Sequence, residues 1–109
     1  MIVASMPRWH LYVVRCGNGA LYTGIATDVS RRLAQHREGE GAKYLRGKGP
    51  LRLVFRKPIG ERGLALRVEC AIKRLSKRRK EELIARKTVL GRLVARARFA
   101  HGARSLSGK

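Results

Sequence analysis

Acidic residues are scarce in this chain: seven Asp and Glu stand against 26 Lys and Arg, a formal net charge of +19. Such an imbalance opposes self-association and repels the chain from itself unless an anionic partner relieves it. Cysteine is almost absent, with two in 109 residues, too few for a disulfide-rich secreted domain. No CxxC or HxxxH spacing is present, so Cys16, Cys70, His10 and His36 read as separate thiols and imidazoles, not as a zinc set. No apolar run approaches the ~18–20 residues of a membrane span. Residues Met1–Pro7 carry no basic stretch ahead of an apolar core, as a signal peptide requires, so a cytoplasmic location is expected. Gly39, Gly41, Gly47 and Gly49 do not form a phosphate-binding loop, because no GK[ST] opens a helix after them.

Hydrophobic residues make up 44% of the chain, enough for a core, and 109 residues suit one small domain. The basic excess is spread along the chain but thickens toward its end. The densest run is Lys73-Arg74-Leu75-Ser76-Lys77-Arg78-Arg79-Lys80. A polyanion, nucleic acid first, is the expected partner. Charge alone carries no sequence specificity, because phosphate contacts carry none.

The pattern predicts an α+β domain of order ββαβαα, a small antiparallel three-stranded sheet flanked by helices. Residues 9–16 are β-branched and aromatic, Gly17-Asn18-Gly19 is a turn, and residues 20–25 return as a second strand. Thr27 and Asp28 offer N-caps to a helix running to about Arg37. Residues 39–50 form a loop. Residues 51–56 alternate as a third strand, closed by Pro58 and Gly60. Residues 61–75 read as a helix with Leu64, Val68, Ile72 and Leu75 on one stripe. Ser76 caps a further helix through about Ala85. The expected division is a domain over residues 8–85 and a basic C-terminal extension over 86–109, helical and then frayed.

Hairpin register brings the chemistry together. If Gly17–Gly19 is a three-residue loop with Gly19 left-handed, Cys16 pairs with Ala20, Val14 with Tyr22 and Tyr12 with Gly24. Tyr12 and Tyr22 then share one face, since strand side chains alternate. A two-residue loop would put them on opposite faces. Arg32 and His36, four apart, line one side of the next helix. Glu69 lies beside the apolar stripe of its helix. Two phenols, a guanidinium, an imidazole and a carboxylate can thus converge.

Tyr12, then Tyr22-Thr23-Gly24 ten residues on, Arg32 another ten on, and Glu69 in the later helix resemble the signature of the GIY-YIG nuclease domain family. The first triplet reads His10-Leu11-Tyr12 and the second Tyr22-Thr23-Gly24. Segments such as Arg31-Arg32-Leu33, Gly41-Ala42-Lys43-Tyr44 and Leu64-Ala65-Leu66-Arg67-Val68-Glu69 resemble its small stand-alone bacterial (YhbQ-like) members. The resemblance covers roughly residues 8–85. It implies a metal-dependent phosphodiesterase that cuts DNA: an endonuclease, or a structure-directed enzyme acting on branched or nicked DNA, the choice between DNA and RNA being left open by the sequence. It further implies one Mg²⁺ or Mn²⁺ held by Glu69, Arg32 clamping the phosphate, Tyr12 near the attacking water and Tyr22 orienting it. His36 reads as a proton shuttle or a phosphate donor. Lys43, Arg46 and Lys48 in the loop, Lys73 and Lys77 in the basic run, and Arg92 and Arg96 in the extension are expected to touch nucleic acid. Two features depart from the family pattern. The first Gly and Ile are His10 and Leu11, and a late Asn has no match, Asn18 being the only Asn. They leave room for a second reading, a non-catalytic basic nucleic-acid-binding protein of the same fold.

Overall fold

A computed structural model describes residues 8–86 and 92–98. Strand β1 (Trp9–Arg15) and strand β2 (Leu21–Ala26) form the hairpin. Its loop closes through Cys16 N–H donating to Ala20 O at 2.8 Å and Gly19 N–H to Cys16 O at 2.9 Å, with Gly19 at φ +89°. The register follows: Val14 faces Tyr22 and Tyr12 faces Gly24. Helix α1 (Val29–Arg37) starts at Asp28, whose carboxylate accepts the Arg31 N–H at 3.0 Å, so Asp28 and not Thr27 is the cap. A single 3₁₀ turn (Lys43–Leu45) interrupts the loop that follows.

Strand β3 (Arg52–Gly60) is longer than the sequence pattern suggests. It runs on through Pro58, which pairs with His10. The sheet order β2-β1-β3 explains the difference. β3 is an edge strand, so the N–H that Pro58 lacks would serve no further strand. Helices α2 (Arg62–Lys73) and α3 (Lys77–Ala85) complete the fold, the latter capped by Ser76 Oγ accepting from Arg79 N–H at 3.2 Å. α2 ends at Lys73, two residues earlier than the periodicity implied.

β1 is the central strand and is buried on both faces. Leu11 and Val13 point into one core with Phe55, Leu64, Val68, Ile72 and Leu83. Tyr12 and Val14 point into a second core with Cys16, Ala26, Val29, Leu33, Leu45 and Leu51. α2 and α3 therefore cover one sheet face, and α1 with the long loop covers the other. Residues 92–98 are helical, and Leu93, Val94 and Ala97 pack on the α2–α3 core. Leu90 and residues 99–109 of the expected extension lie outside the described residues. No described helix is long and apolar enough to cross a membrane.

Arg15 ties the end of the central strand to α3. Its Nη1 and Nη2 donate to the two carboxylate oxygens of Glu81 at 2.7 and 2.8 Å, and Lys77 Nζ approaches the same carboxylate at 3.3 Å. The Arg15 hydrogen bonds hold the Glu81 carboxyl down at about 2. A carboxylate depressed on folding contributes stability above its unfolded pKa, and that contribution fades as pH falls toward the folded value. The pair is part exposed, which limits its worth to about 1 kcal/mol. Glu81→Gln should thus lower stability by about that amount at pH 7. The gap to wild type should close between about pH 4.5 and pH 2 in parallel urea titrations. A gap that is constant across that range would show that the pair is not the source.

Candidate active site

The hairpin places Tyr12 on the α1 face, and α1 brings His36 over it. Tyr12 is 1% exposed and His36 is 2% exposed, so neither is a surface group. Their polar atoms meet in a buried hydrogen bond, Tyr12 Oη to His36 Nε2 at 2.8 Å. The direction of this bond can be deduced. The Ala42 N–H donates to His36 Nδ1 at 3.2 Å, so Nδ1 presents its lone pair. A neutral ring then carries its proton on Nε2 and donates it to Tyr12 Oη. Burial, and after it the Arg32 charge, lowers the His36 pKa, which keeps the ring neutral at pH 7. Both ring nitrogens are engaged within the protein, which leaves no free donor for a phosphate.

Two glycines make this fit possible. A Cβ on Gly24 would lie 2.5 Å from Tyr12 Oη, and a Cβ on Gly41 would collide with His36 Nδ1. The Tyr22 ring joins the pair, 6.4 Å from the Tyr12 ring and 5.6 Å from the His36 ring, the latter edge-on. Tyr44, from the loop, stacks on Tyr22 at 6.0 Å with 20° between the planes.

Arg32 is half-buried and donates from Nη1 to Gln35 Oε1 at 3.1 Å. Its side chain also acts on Tyr12. Burial first, then the Tyr22 phenol and last Glu69 push the phenol up against the pull of Arg32, for a net value of about 12. Glu69 is thus within electrostatic reach of Tyr12, although α2, which carries it, packs on the opposite sheet face. Its carboxylate faces Lys73 Nζ at 3.3 Å. Beside Arg32 an open groove of about 360 Å³ runs past Trp9, Thr27, Asp28 and Arg31.

Tyr12, Tyr22, Arg32 and His36 gather on one face, while Glu69 stands on α2 and acts on Tyr12 through its charge alone. The remaining residues proposed from sequence are more dispersed. Lys48 Nζ lies 4.4 Å over the Tyr44 ring, and Arg46 Nε donates to Gly39 O at 3.0 Å, both at the rim of this face. Lys43 is exposed on the same loop. Lys73 is paired with Glu69 and Lys77 with Glu81, so each already has an acidic neighbour. Arg92 and Arg96 are exposed on the segment that packs on the α2–α3 side. Sequence reasoning missed Gln35, the fit of Gly24 and Gly41 against the two rings, and Tyr44. Tyr44 had one available signal, an aromatic residue among Lys43, Arg46 and Lys48. No group of three His, Cys, Asp or Glu that could hold a metal occurs among the described residues. Glu69 alone, partly open to solvent, suits an ion that keeps most of its ligands as water and substrate oxygens, as Mg²⁺ and Mn²⁺ do.

Comparison with known proteins gives the family and the fold. The model of the GIY-YIG catalytic domain matches residues 8–82. The UPF0213 protein of Cronobacter sakazakii is 60% identical over 80 residues, covering 73% of this chain and 84% of that protein. The UPF0213 protein YhbQ of Escherichia coli K12 is 58% identical over 80 residues, covering 73% of this chain and 80% of the relative. Among solved structures, the solution NMR structure of the protein EF2693 from E. faecalis superposes with a TM-score of 0.54 at 32% identity, covering 73% of this chain and 85% of that one.

The bond direction deduced for His36 has a direct readout. ¹⁵N–¹H correlation spectra should show a neutral ring protonated on Nε2 at pH 7, with imidazolium forming only below the ordinary histidine range. Gly41→Ala should displace the ring, abolish that pattern and lower stability by roughly 1–3 kcal/mol. A His36 ring protonated on Nδ1 at pH 7 would contradict the assignment.

Proposed function

The chain belongs to the GIY-YIG family, and from that membership we propose that it is a metal-dependent nuclease that hydrolyses phosphodiester bonds in DNA. The observation that carries the reading is the buried Tyr12–His36 bond on the face shared with Tyr22 and Arg32. Any buried phenol needs a partner for its oxygen; what favours catalysis is that this partner donates, which stabilises the phenolate form, and that Arg32 lies on the same face.

On this reading Tyr12 is the base. Its oxygen accepts from His36 Nε2–H and lies beside Arg32, and both stabilise the phenolate form. The phenolic proton leaves to solvent, and the phenolate oxygen then takes a proton from the attacking water. Arg32 holds two oxygens of the scissile phosphate with its planar fork. Tyr22 orients the water or a phosphate oxygen. Glu69 would hold a single Mg²⁺ or Mn²⁺ together with waters and phosphate oxygens. When bound, such an ion withdraws charge from the phosphate and the leaving oxygen. Without that added charge the phenol, raised to about 12, stays protonated through the neutral range. Leu11, which stands in the place of the family's Ile, is fully buried in an apolar core, as an Ile would be. The departure at that position therefore leaves the seat of Tyr12 intact.

Lys43, Arg46 and Lys48 supply backbone contacts on the catalytic face, and Lys77, Arg92 and Arg96 a second cationic surface on the α2–α3 side. Structure-directed cleavage of branched or nicked DNA follows from this reading as the substrate class to assay first, with RNA in parallel.

Glu69→Gln should abolish cleavage in Mg²⁺ and leave DNA affinity in a chelating buffer nearly unchanged, since losing a carboxylate does not weaken attraction to phosphate. Arg32→Lys should slow turnover on the order of 10²-fold or more, because the charge remains but the fork is lost. Arg31→Ala serves as the control and should lose little. Wild-type rates in Glu69→Gln would remove the catalytic assignment; absence of cleavage by the wild type on every substrate would favour the non-catalytic binding protein.

Replacing Arg92, Arg96 and Arg98 with Gln keeps Leu93 and Val94 in the core while removing three cations. Each neutralised phosphate contributes about 0.9 to the slope of log K against log salt, so the slope should fall by up to about three. Single-turnover cleavage at saturating DNA should persist. An unchanged slope across a salt series would show that this segment does not touch DNA.

A further inference from the structure

We infer that Tyr44 is a base-contacting residue, whose exposed ring stacks on an unpaired nucleobase next to the scissile phosphate. The inference rests on the reading that Tyr12, Tyr22 and Arg32 handle that phosphate, and it adds what recognises the neighbouring nucleotide.

Packing does not account for Tyr44. It is 49% exposed, whereas the next residue, Leu45, is 2% exposed and sits in the core beneath the loop. A large ring left half in water contributes little to folding. Yet the ring is held in a defined place. Leu45 anchors the 3₁₀ turn from below. Ala42 N–H is bound to His36 Nδ1, and Lys48 O accepts the Gly17 N–H at 2.8 Å from the hairpin loop. Arg46 Nε closes the loop onto Gly39 O. Tyr44 therefore projects from a segment pinned on both sides, and a partner that meets it need not order the loop first.

Its position is continuous with the catalytic rings. Tyr22 touches the His36 ring edge-on and stacks with Tyr44, so the aromatic row runs from the Tyr12–His36 pair outward to solvent. Lys48 lies over the outermost ring, and Lys43 and Arg46 flank it in sequence. A flat ring beside cations matches the two parts of a nucleotide, a base with a π face and a phosphate. In an intact duplex each base is covered on both faces by its neighbours, so only an unpaired or splayed base can offer a face to Tyr44. In the free protein the Lys48 ammonium covers part of the ring; an arriving phosphate draws it aside. Stacking of this kind does not read base edges, so the contact selects for strand state and not for sequence.

The test uses the full chain in a chelating buffer, so nothing is cut during binding. Tyr44→Ala should weaken binding of a single-stranded DNA oligonucleotide roughly 5- to 150-fold. Binding of the same sequence as a blunt duplex should be unchanged, and Tyr44→Phe should retain wild-type affinity for both. A 2-aminopurine moved stepwise along the single strand should be quenched at one position by the wild-type protein and at none by Tyr44→Ala. Equal losses on single strand and duplex, failure of Tyr44→Phe, or absence of position-specific quenching would each overturn the inference. Cleavage is measured separately in Mg²⁺. Stacking without cleavage would refute the nuclease reading and keep Tyr44 only as the base contact of a binding protein; cleavage without stacking would overturn the inference and leave the nuclease reading standing.

Discussion

The hydrogen bond between Tyr12 and His36 is the constraint around which this small domain is arranged. Each partner is almost fully buried, and a buried polar atom left without its partner costs roughly 1–3 kcal/mol. The bond forms only if several independent features agree. The hairpin must close with three residues, because a one-residue slip would turn Tyr12 into the α2–α3 core. Helix α1 must start at Asp28 for position 36 to face the sheet. The loop must return so that Ala42 N–H reaches Nδ1, and Gly24 and Gly41 must lack side chains where the two rings press against backbone. Local choices along some thirty residues thus support a single contact, which is what consistency across levels means for a sequence that folds.

The few acids are placed where they order the fold. Asp28 caps α1, Glu81 binds Arg15 and Lys77, Glu82 lies near Arg79, and Glu69 faces Lys73. Those uses occupy four of the seven carboxylates in the chain. Most of the cations therefore remain without a counter-charge, on both sheet faces. The charge excess is not a byproduct of folding, since a net charge so far from zero opposes compaction. An anionic partner gives it a physical reason.

Much of this was legible in the sequence. Gly17-Asn18-Gly19 set the loop length, and with it the face shared by Tyr12 and Tyr22. The Leu64, Val68 and Ile72 stripe set the buried side of α2, and so the place of Glu69 beside it. What was not legible depends on contacts between distant segments. Pro58 reads as a strand terminator until the sheet order makes β3 an edge. His36 reads as a proton shuttle or a phosphate donor until the loop closes over it and engages Nδ1. Gly24 and Gly41 look like ordinary turn or strand glycines, because nothing local says that a ring will occupy the space their Cβ would fill. Tyr44 is the converse case: as a proposed base contact it matters for what it leaves uncovered, which a pattern of buried positions does not mark.

The single carboxylate follows from the same charge balance. On the proposed reading Glu69 holds a divalent ion with help from phosphate oxygens. In the free protein Glu69 faces Lys73 within a chain of net charge +19, surroundings that disfavour a second cation. Nucleic acid reverses that balance locally, because its phosphates add negative charge and oxygen ligands beside the same carboxylate. Affinity for the ion and affinity for nucleic acid are then coupled, and by linkage each must strengthen the other to the same degree. A second carboxylate would hold the ion more tightly in the free state, but it would repel the phosphate that Arg32 is proposed to receive. On the proposed reading, one acid in a cationic surround makes the completed site depend on substrate and confines the added charge that Tyr12 would need to the complex in which there is a bond to cut.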